Sequence, residues 1–310
     1  AASSPRSTGS ISRAGVVSLR LDMLQAARRA PRLLGESADL VRRFLRSQMN
    51  ADGGFRDRAG VSDVYYTVFG LQGLVALDGD VPFDAVARYL AGLGSGEQLD
   101  LVHAACLARC WAALPAELKS RAPRAELLRH VATFRSGDGA YDARPGSPRG
   151  TLYGCFLALG AHEDLGAALP APAAVLACIE RLRASDGGYA NDDELPVGLT
   201  PTTAAAIALL QSLSQPVPAE LGAWLWARHH AAGGFFATPV APLPDLLSTA
   251  TALHALRSQQ ADLTAVREPC LDFLNSLWTN RGAFYGNWTD DVADCEYTFY
   301  ALLALGHLSP

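Results

Sequence analysis

The chain has 310 residues, 49% of them hydrophobic, and a formal net charge of -5. That is apolar material for a large core, without the basic cluster of a nucleic-acid binder or an apolar run long enough to span a membrane. The six cysteines (Cys106, Cys110, Cys155, Cys178, Cys270 and Cys295) form no CxxC pair and read as thiols of a reducing, cytoplasmic setting.

Residues 1–18 are small and polar and read as a flexible tail; residues 19–310 read as one domain. Ser37–Met49 is an amphipathic helix, with Leu40, Val41, Phe44 and Leu45 on its apolar face. The turn Asp52-Gly53-Gly54-Phe55 follows, then a second helix, Asp63–Leu77, poor in charge. The turn recurs as Asp138-Gly139-Ala140-Tyr141, Asp186-Gly187-Gly188-Tyr189, Ala232-Gly233-Gly234-Phe235 and Arg281-Gly282-Ala283-Phe284. A degenerate copy lies at Leu93-Gly94-Ser95-Gly96, so the repeat runs about 45 residues and occurs six times. Pro82, Pro123, Pro172, Pro218 and Pro269 each open an amphipathic helix, as proline suits a first helical turn. The turn glycine is expected to close that helix in a left-handed conformation, and the aromatic after it to be buried.

The charge-poor helices then fall at Asp100–Leu114, Thr151–Leu159, Pro201–Leu213, Asp245–Arg257 and Asp294–Leu308. A helix apolar nearly all round belongs inside and an amphipathic one outside. Six of each predict an all-α (α/α)6 toroid, a double ring. An open solenoid would need a polar cap, whereas the last unit ends in the apolar Leu305-Gly306-His307-Leu308. Parallel inner helices would put their N-termini on one rim, favourable to an anion such as diphosphate. Tyr65, Tyr66, Phe69, Trp111, Tyr153, Tyr297, Phe299 and Tyr300 would line a funnel suited to an isoprenoid.

Phe44-Leu45-Arg46-Ser47-Gln48 before Gly53-Gly54, then Asp63-Val64-Tyr65-Tyr66-Thr67, Leu243-Pro244-Asp245 and Asp294-Cys295-Glu296-Tyr297-Thr298 carry a resemblance over most of the chain. With them the chain resembles the protein prenyltransferase β subunits, above all the Rab-type geranylgeranyltransferase β subunit, within the terpenoid cyclase/prenyltransferase toroids. The resemblance implies an isoprenoid or isoprenoid diphosphate ligand, prenyl transfer to an acceptor, a helical α-subunit-like partner, and zinc holding the acceptor thiolate. It places the zinc aspartate on Asp245, the zinc cysteine on Leu247 and the zinc histidine on Tyr297, so only Asp245 is a matched metal ligand. Asp294, Cys295 or Glu296 would have to rebuild the remainder. The diphosphate-binding basic pair falls on Pro239 and Pro242, an aromatic pair on Ser248 and Thr251, and a histidine near Gly198. A family arginine corresponds to Arg149, ahead of Tyr153 and Cys155.

The candidate catalytic set is therefore Asp294, Asp245, Cys295, Glu296 and Tyr297. The candidate substrate-binding set is Arg149, Tyr153, Tyr65, Tyr66, Trp111 and Tyr300. Two other functions fit the same chain: a non-catalytic toroid that binds a lipid or a protein, and a small class II-type terpene cyclase. The run Asp290-Asp291 with Asp294 is similar to the acidic mouth of such cyclases, without their D-x-D-D pattern. His103 with Cys106 and Cys110 has metal-ligand spacing on a helix that otherwise reads as buried core. Asp245 and Asp294 also stand where a carboxylate would cap an inner helix.

Overall fold

The structure, a computed structural model, describes residues 18–310; all but the last residue of the expected tail lies outside them, and Ser18 N-caps the first helix. The elements are α1 (Leu19–Ala27), α2 (Pro31–Leu34), α3 (Ser37–Ser47), α4 (Val64–Ala76), α5 (Phe83–Gly92), α6 (Leu101–Ala113), α7 (Ala116–Lys119), α8 (Arg124–Ala132), α9 (Leu152–Asp164), α10 (Pro172–Arg181), α11 (Thr200–Ser212), α12 (Glu220–Trp226), α13 (Leu246–Ser258), α14 (Thr264–Ser276) and α15 (Cys295–Leu308). Helices α4, α6, α9, α11, α13 and α15 pack each on the next, and α15 returns to pack on α4. The inner ring is therefore closed. Outside it lie α3, α5, α8, α10, α12 and α14. They bury one stripe at helical spacing, such as Val41 and Leu45 of α3 or Val86 and Leu90 of α5.

The repeating turn is a tight reversal: Met49 bridges Phe55, and equivalent bridges join Arg135 to Tyr141, Arg183 to Tyr189, His229 to Phe235 and Trp278 to Phe284. The aromatics Phe55, Tyr141, Tyr189, Phe235 and Phe284 are buried as expected. The glycine has positive φ but does not close the helix: α3 stops at Ser47, and Gly53 sits within the reversal, φ 97°. Its role is close approach. A Cβ on Gly53 would lie 2.2 Å from the carbonyl oxygen of Ala85 in α5. Gly282, φ 87°, meets Leu40 of α3 in the same way, which stitches the last unit to the first.

Two element boundaries differ from expectation. Helix α9 continues past Gly160 to Asp164, because His162 and Asp164 are buried there, with Asp164 ion-paired to Arg20 at 2.9 Å. Pro269 lies inside α14, not at its start, because the Asp262 carboxylate accepts hydrogen bonds from the Thr264 N–H and hydroxyl and begins the helix earlier.

Helix α1 is not a repeat member. It lies across the C-terminal ends of the inner helices: the Leu19 N–H donates to Glu163, Arg20 pairs with Asp164, and Ala26 meets Gly306 so closely that a Cβ there would sit 1.9 Å from its carbonyl oxygen. Just beyond it, Arg29 donates to the Ser309 carbonyl and Arg32 to that of Pro310, placing cations at a helix C-terminus. No helix is long and apolar enough to cross a membrane among the described residues.

Candidate active site

The rim is built by the inner-helix caps. Asp63, Asp100, Asp245 and Asp294 N-cap α4, α6, α13 and α15, and Thr151 caps α9. Beneath three of those aspartates a threonine repeats the same device. Thr67, Thr249 and Thr298 donate to the cap residue's carbonyl and accept the N–H of Phe55, Phe235 and Phe284. The rim that parallel dipoles would offer to diphosphate is thus already occupied by carboxylates. Arg58 is engaged by Asp290 and Asp294, at 2.9 and 2.8 Å.

Inside the ring is a cavity of about 400 Å³, walled by three layers of inner-helix side chains. The second residues, Tyr65, Tyr153, Pro201, Leu247 and Glu296, form the mouth layer; Phe156, Ala205, Thr251 and Tyr300 lie in the middle; the ninth residues, Arg109, Ala208, His254 and Leu303, reach the floor. Leu19 and Met23 of α1 close the bottom.

Glu296 is the acid of this cavity. The Tyr65 hydroxyl donates to its Oε1 at 2.6 Å. Burial pushes its carboxyl up to about 7; the Tyr65 hydrogen bond opposes the rise and Asp294 adds to it. Burial likewise keeps the phenols of Tyr65 and Tyr300 well above the ordinary tyrosine range.

The other candidates separate. Asp294 is buried, its carboxylate bound to the Tyr297 N–H at 3.0 Å and to Arg58; burial raises its pKa against those contacts. Asp245 gives one oxygen to the Ser248 N–H and the other to the Ser248 hydroxyl, each at 2.7 Å. Both are caps in this structure and neither lines the cavity. Cys295, the first residue of α15, is buried away from the cavity, and burial pushes its thiol up. Tyr297 lies under the Arg58 guanidinium, 5.5 Å from the ring centre, and packs on Gly286.

Among the substrate-binding candidates, Tyr65, Tyr153 and Tyr300 line the cavity. Tyr66 neighbours Arg58 and Asp294 beside it. Trp111 points outward, into a groove with Asp84 and Arg88, because position eleven of an inner helix turns away from the ring axis. Arg149 is exposed and faces Asp193 at 3.5 Å. Arg109, His254, Phe156 and Asn191 line the cavity without having been singled out. Their signal was the spacing: aligned on Glu296, the inner helices place Arg109 and His254 on the same inward stripe.

The residues present do not fit a zinc ion. Both Asp245 oxygens are committed to Ser248, Leu247 has no donor atom, and Tyr297 is covered by Arg58. No group of three His, Cys, Asp or Glu side chains is placed to hold a metal among the described residues. His103 instead bridges Asp100 and Asp63 at 2.7 and 3.3 Å, and burial pushes the Cys106 thiol up to about 12.

The prenyltransferase alpha-alpha toroid domain model matches residues 33–108, 90–235 and 186–309. No curated protein matches the sequence. Among solved structures, the type II terpene cyclase MstE from Scytonema, bound to merosterolic acid A, superposes with a TM-score of 0.61 at 13% identity, covering 94% of this chain and 98% of that one. Another MstE variant, bound to its substrate geranylgeranyl dihydroxybenzoate, gives 0.60 at 13% identity with the same coverage. A protein from Actinoplanes gives 0.59 at 19% identity, covering 88% and 98%. At these identities the likeness concerns the fold.

Proposed function

Since the chain belongs to the prenyltransferase alpha-alpha toroid family, we propose that it takes a linear isoprenoid chain into the ring and that Glu296 protonates it, as the initiating acid of a type II cyclisation. One observation carries this reading: a carboxyl near pKa 7 that faces an apolar, aromatic cavity and receives a hydrogen bond from Tyr65. The Glu296 O–H adds its proton to one carbon of a double bond, leaving a carbocation on the neighbouring carbon and a carboxylate on Glu296. The Tyr65 hydroxyl stabilises that carboxylate. The faces of Tyr300, Phe156 and Tyr153 attract the cation. The cyclised cation loses a proton to water, giving an isomer of the substrate, and the Glu296 carboxylate takes one up from water, which restores the acid.

The solved neighbour with a geranylgeranyl substrate supports an isoprenoid as ligand class. The second reading, prenyl transfer of the β-subunit type, draws on the first, fifth and last repeat motifs. The acid-filled rim, the engaged Arg58 and the absence of a zinc fit weigh against it.

The test uses geranylgeranyl probes, with a free alcohol, a diphosphate or a dihydroxybenzoate head, and squalene. Products are analysed by mass spectrometry and binding by thermal unfolding. A product of unchanged mass from wild type, and none from Glu296→Gln despite an equal thermal shift, is the expected result. A ligand at about 100 times its dissociation constant stabilises by roughly 2.7 kcal/mol, enough to see. Released diphosphate would favour the transferase reading. A thermal shift with no product from any probe would leave a lipid-binding toroid, and no shift at all would point to a protein-binding one.

A further inference from the structure

Arg109 has no role in the chemistry above, yet it stands in the cavity wall at the closed end. Among the described residues, its Nη2 has one partner, the Met23 thioether at 3.5 Å, and its buried Nε has none. No carboxylate comes within ion-pairing distance of it among the described residues. The nearby Asp164 is ion-paired to Arg20 at 2.9 Å and Glu163 accepts from the Leu19 N–H at 3.0 Å, so the Arg109 charge reaches both only through space. A guanidinium always carries its charge and offers five N–H donors in a planar fork. Leaving such donors unpaired in an apolar cavity is costly, and a carboxylate pairs with them two at a time.

We propose that Arg109 is the head-group site of the ligand: the isoprenoid is a carboxylic acid that enters head-first, its carboxylate pairing with Arg109 at the floor. The other titratable side chain of the floor layer is His254, bonded to His307 at 2.9 Å; burial lowers its pKa, and Asp22 at 3.4 Å opposes that shift. One positive charge matches one negative charge. Glu163 and Asp164 stand at the same end and repel a multiply charged diphosphate more strongly than a singly charged carboxylate. Arg109 is the ninth residue of α6 and Glu296 the second of α15. Level, parallel helices put them about 10 Å apart along the ring axis. A ligand anchored at the floor therefore presents a double bond in mid-chain or beyond to Glu296.

This rests on the isoprenoid-cavity reading, and the experiment separates the two. Binding of farnesoic acid, geranylgeranoic acid and the corresponding alcohols is measured by calorimetry on the full chain, for wild type, Arg109→Met and Arg109→Lys. The expected result is an acid bound at least ~10-fold tighter than its alcohol by wild type. Arg109→Met should lose that preference while keeping the alcohol's affinity, which also shows the variant is folded; Arg109→Lys should keep part of the preference. Equal affinity of wild type for acid and alcohol would overturn the proposal and leave the cavity reading intact, with Arg109 served by Asp164 through water. If Arg109→Met binds the acid as wild type does, the head-group site is refuted. If neither acid nor alcohol binds wild type, both readings fall together.

Discussion

At the scale of the residue, the same side-chain type does different work two positions apart. Asp294 caps α15 and Glu296 is its second residue, yet one ties down the helix end and the other faces the cavity. The cap's two oxygens are spoken for, by Tyr297 and Arg58, while Glu296 has one hydrogen bond and little water. This has a pH signature. A Glu raised from 4.5 to about 7 in the fold stays protonated where the unfolded chain ionises. Its burial therefore costs nothing below about pH 4.5. The cost grows as pH rises and is complete above about 7, where it reaches roughly 3 kcal/mol. Glu296→Gln should accordingly stabilise the protein at pH 8 and leave it unchanged near pH 4, as read by urea unfolding at both values. Turnover should fall as pH rises through about 7, because the acid form is the active one. Tyr65→Phe removes the contact that favours the carboxylate, so it should move that limb upward in pH and lower the plateau rate. An unmoved limb would detach Tyr65 from Glu296.

At the scale of the element, α1 is the part that turns a ring into a cup. Its attachment to α9 runs through the buried pair Arg20 and Asp164, with side chains 10% and 4% exposed. Replacing Arg20 by Met leaves a buried carboxylate without its nearest partner. The expected loss is about 3 kcal/mol in urea unfolding, with a matching rise in binding of a hydrophobic dye to the opened floor. If stability falls but the dye does not bind, α1 stays seated by Leu24, Ala26 and Ala27, which are buried. The inner helices were legible because their apolar surround and their caps are local properties. The inward stripe was less so: a helix buried on all sides gives no hydrophobic contrast between the face toward the cavity and the face toward the outer ring. That is why Trp111 was placed in the funnel and Arg109 was not.

At the scale of the whole molecule, the decisive contact is between the ends. Gly282 brings the last turn onto Leu40 of the first outer helix, with a Cβ there 2.3 Å from the Leu40 backbone. Gly282→Ala combines that clash with an unfavourable left-handed conformation, φ 87°. A loss of about 1–3 kcal/mol is expected from the backbone conformation alone, together with faster proteolysis of the first and last units. An unchanged protein would mean that α15 on α4 closes the ring by itself.

The chain by itself determined the repeat, the number of units, the alternation of apolar and amphipathic helices and the position of Asp294 and Asp245 at helix starts, because each is a matter of near neighbours along the sequence. Glu296, Tyr65, Tyr153 and Tyr300 could be named from it as candidates. What it could not decide is which of them share one space, since Tyr65 and Glu296 stand 231 residues apart and meet only when α15 closes on α4. Nor could it show that Ser18–Ala27 seals the ring, or that Arg109 makes no direct ion pair among the described residues. A charge is written into the sequence, but its partner and its exposure to water are set by the packing of segments that are remote from one another.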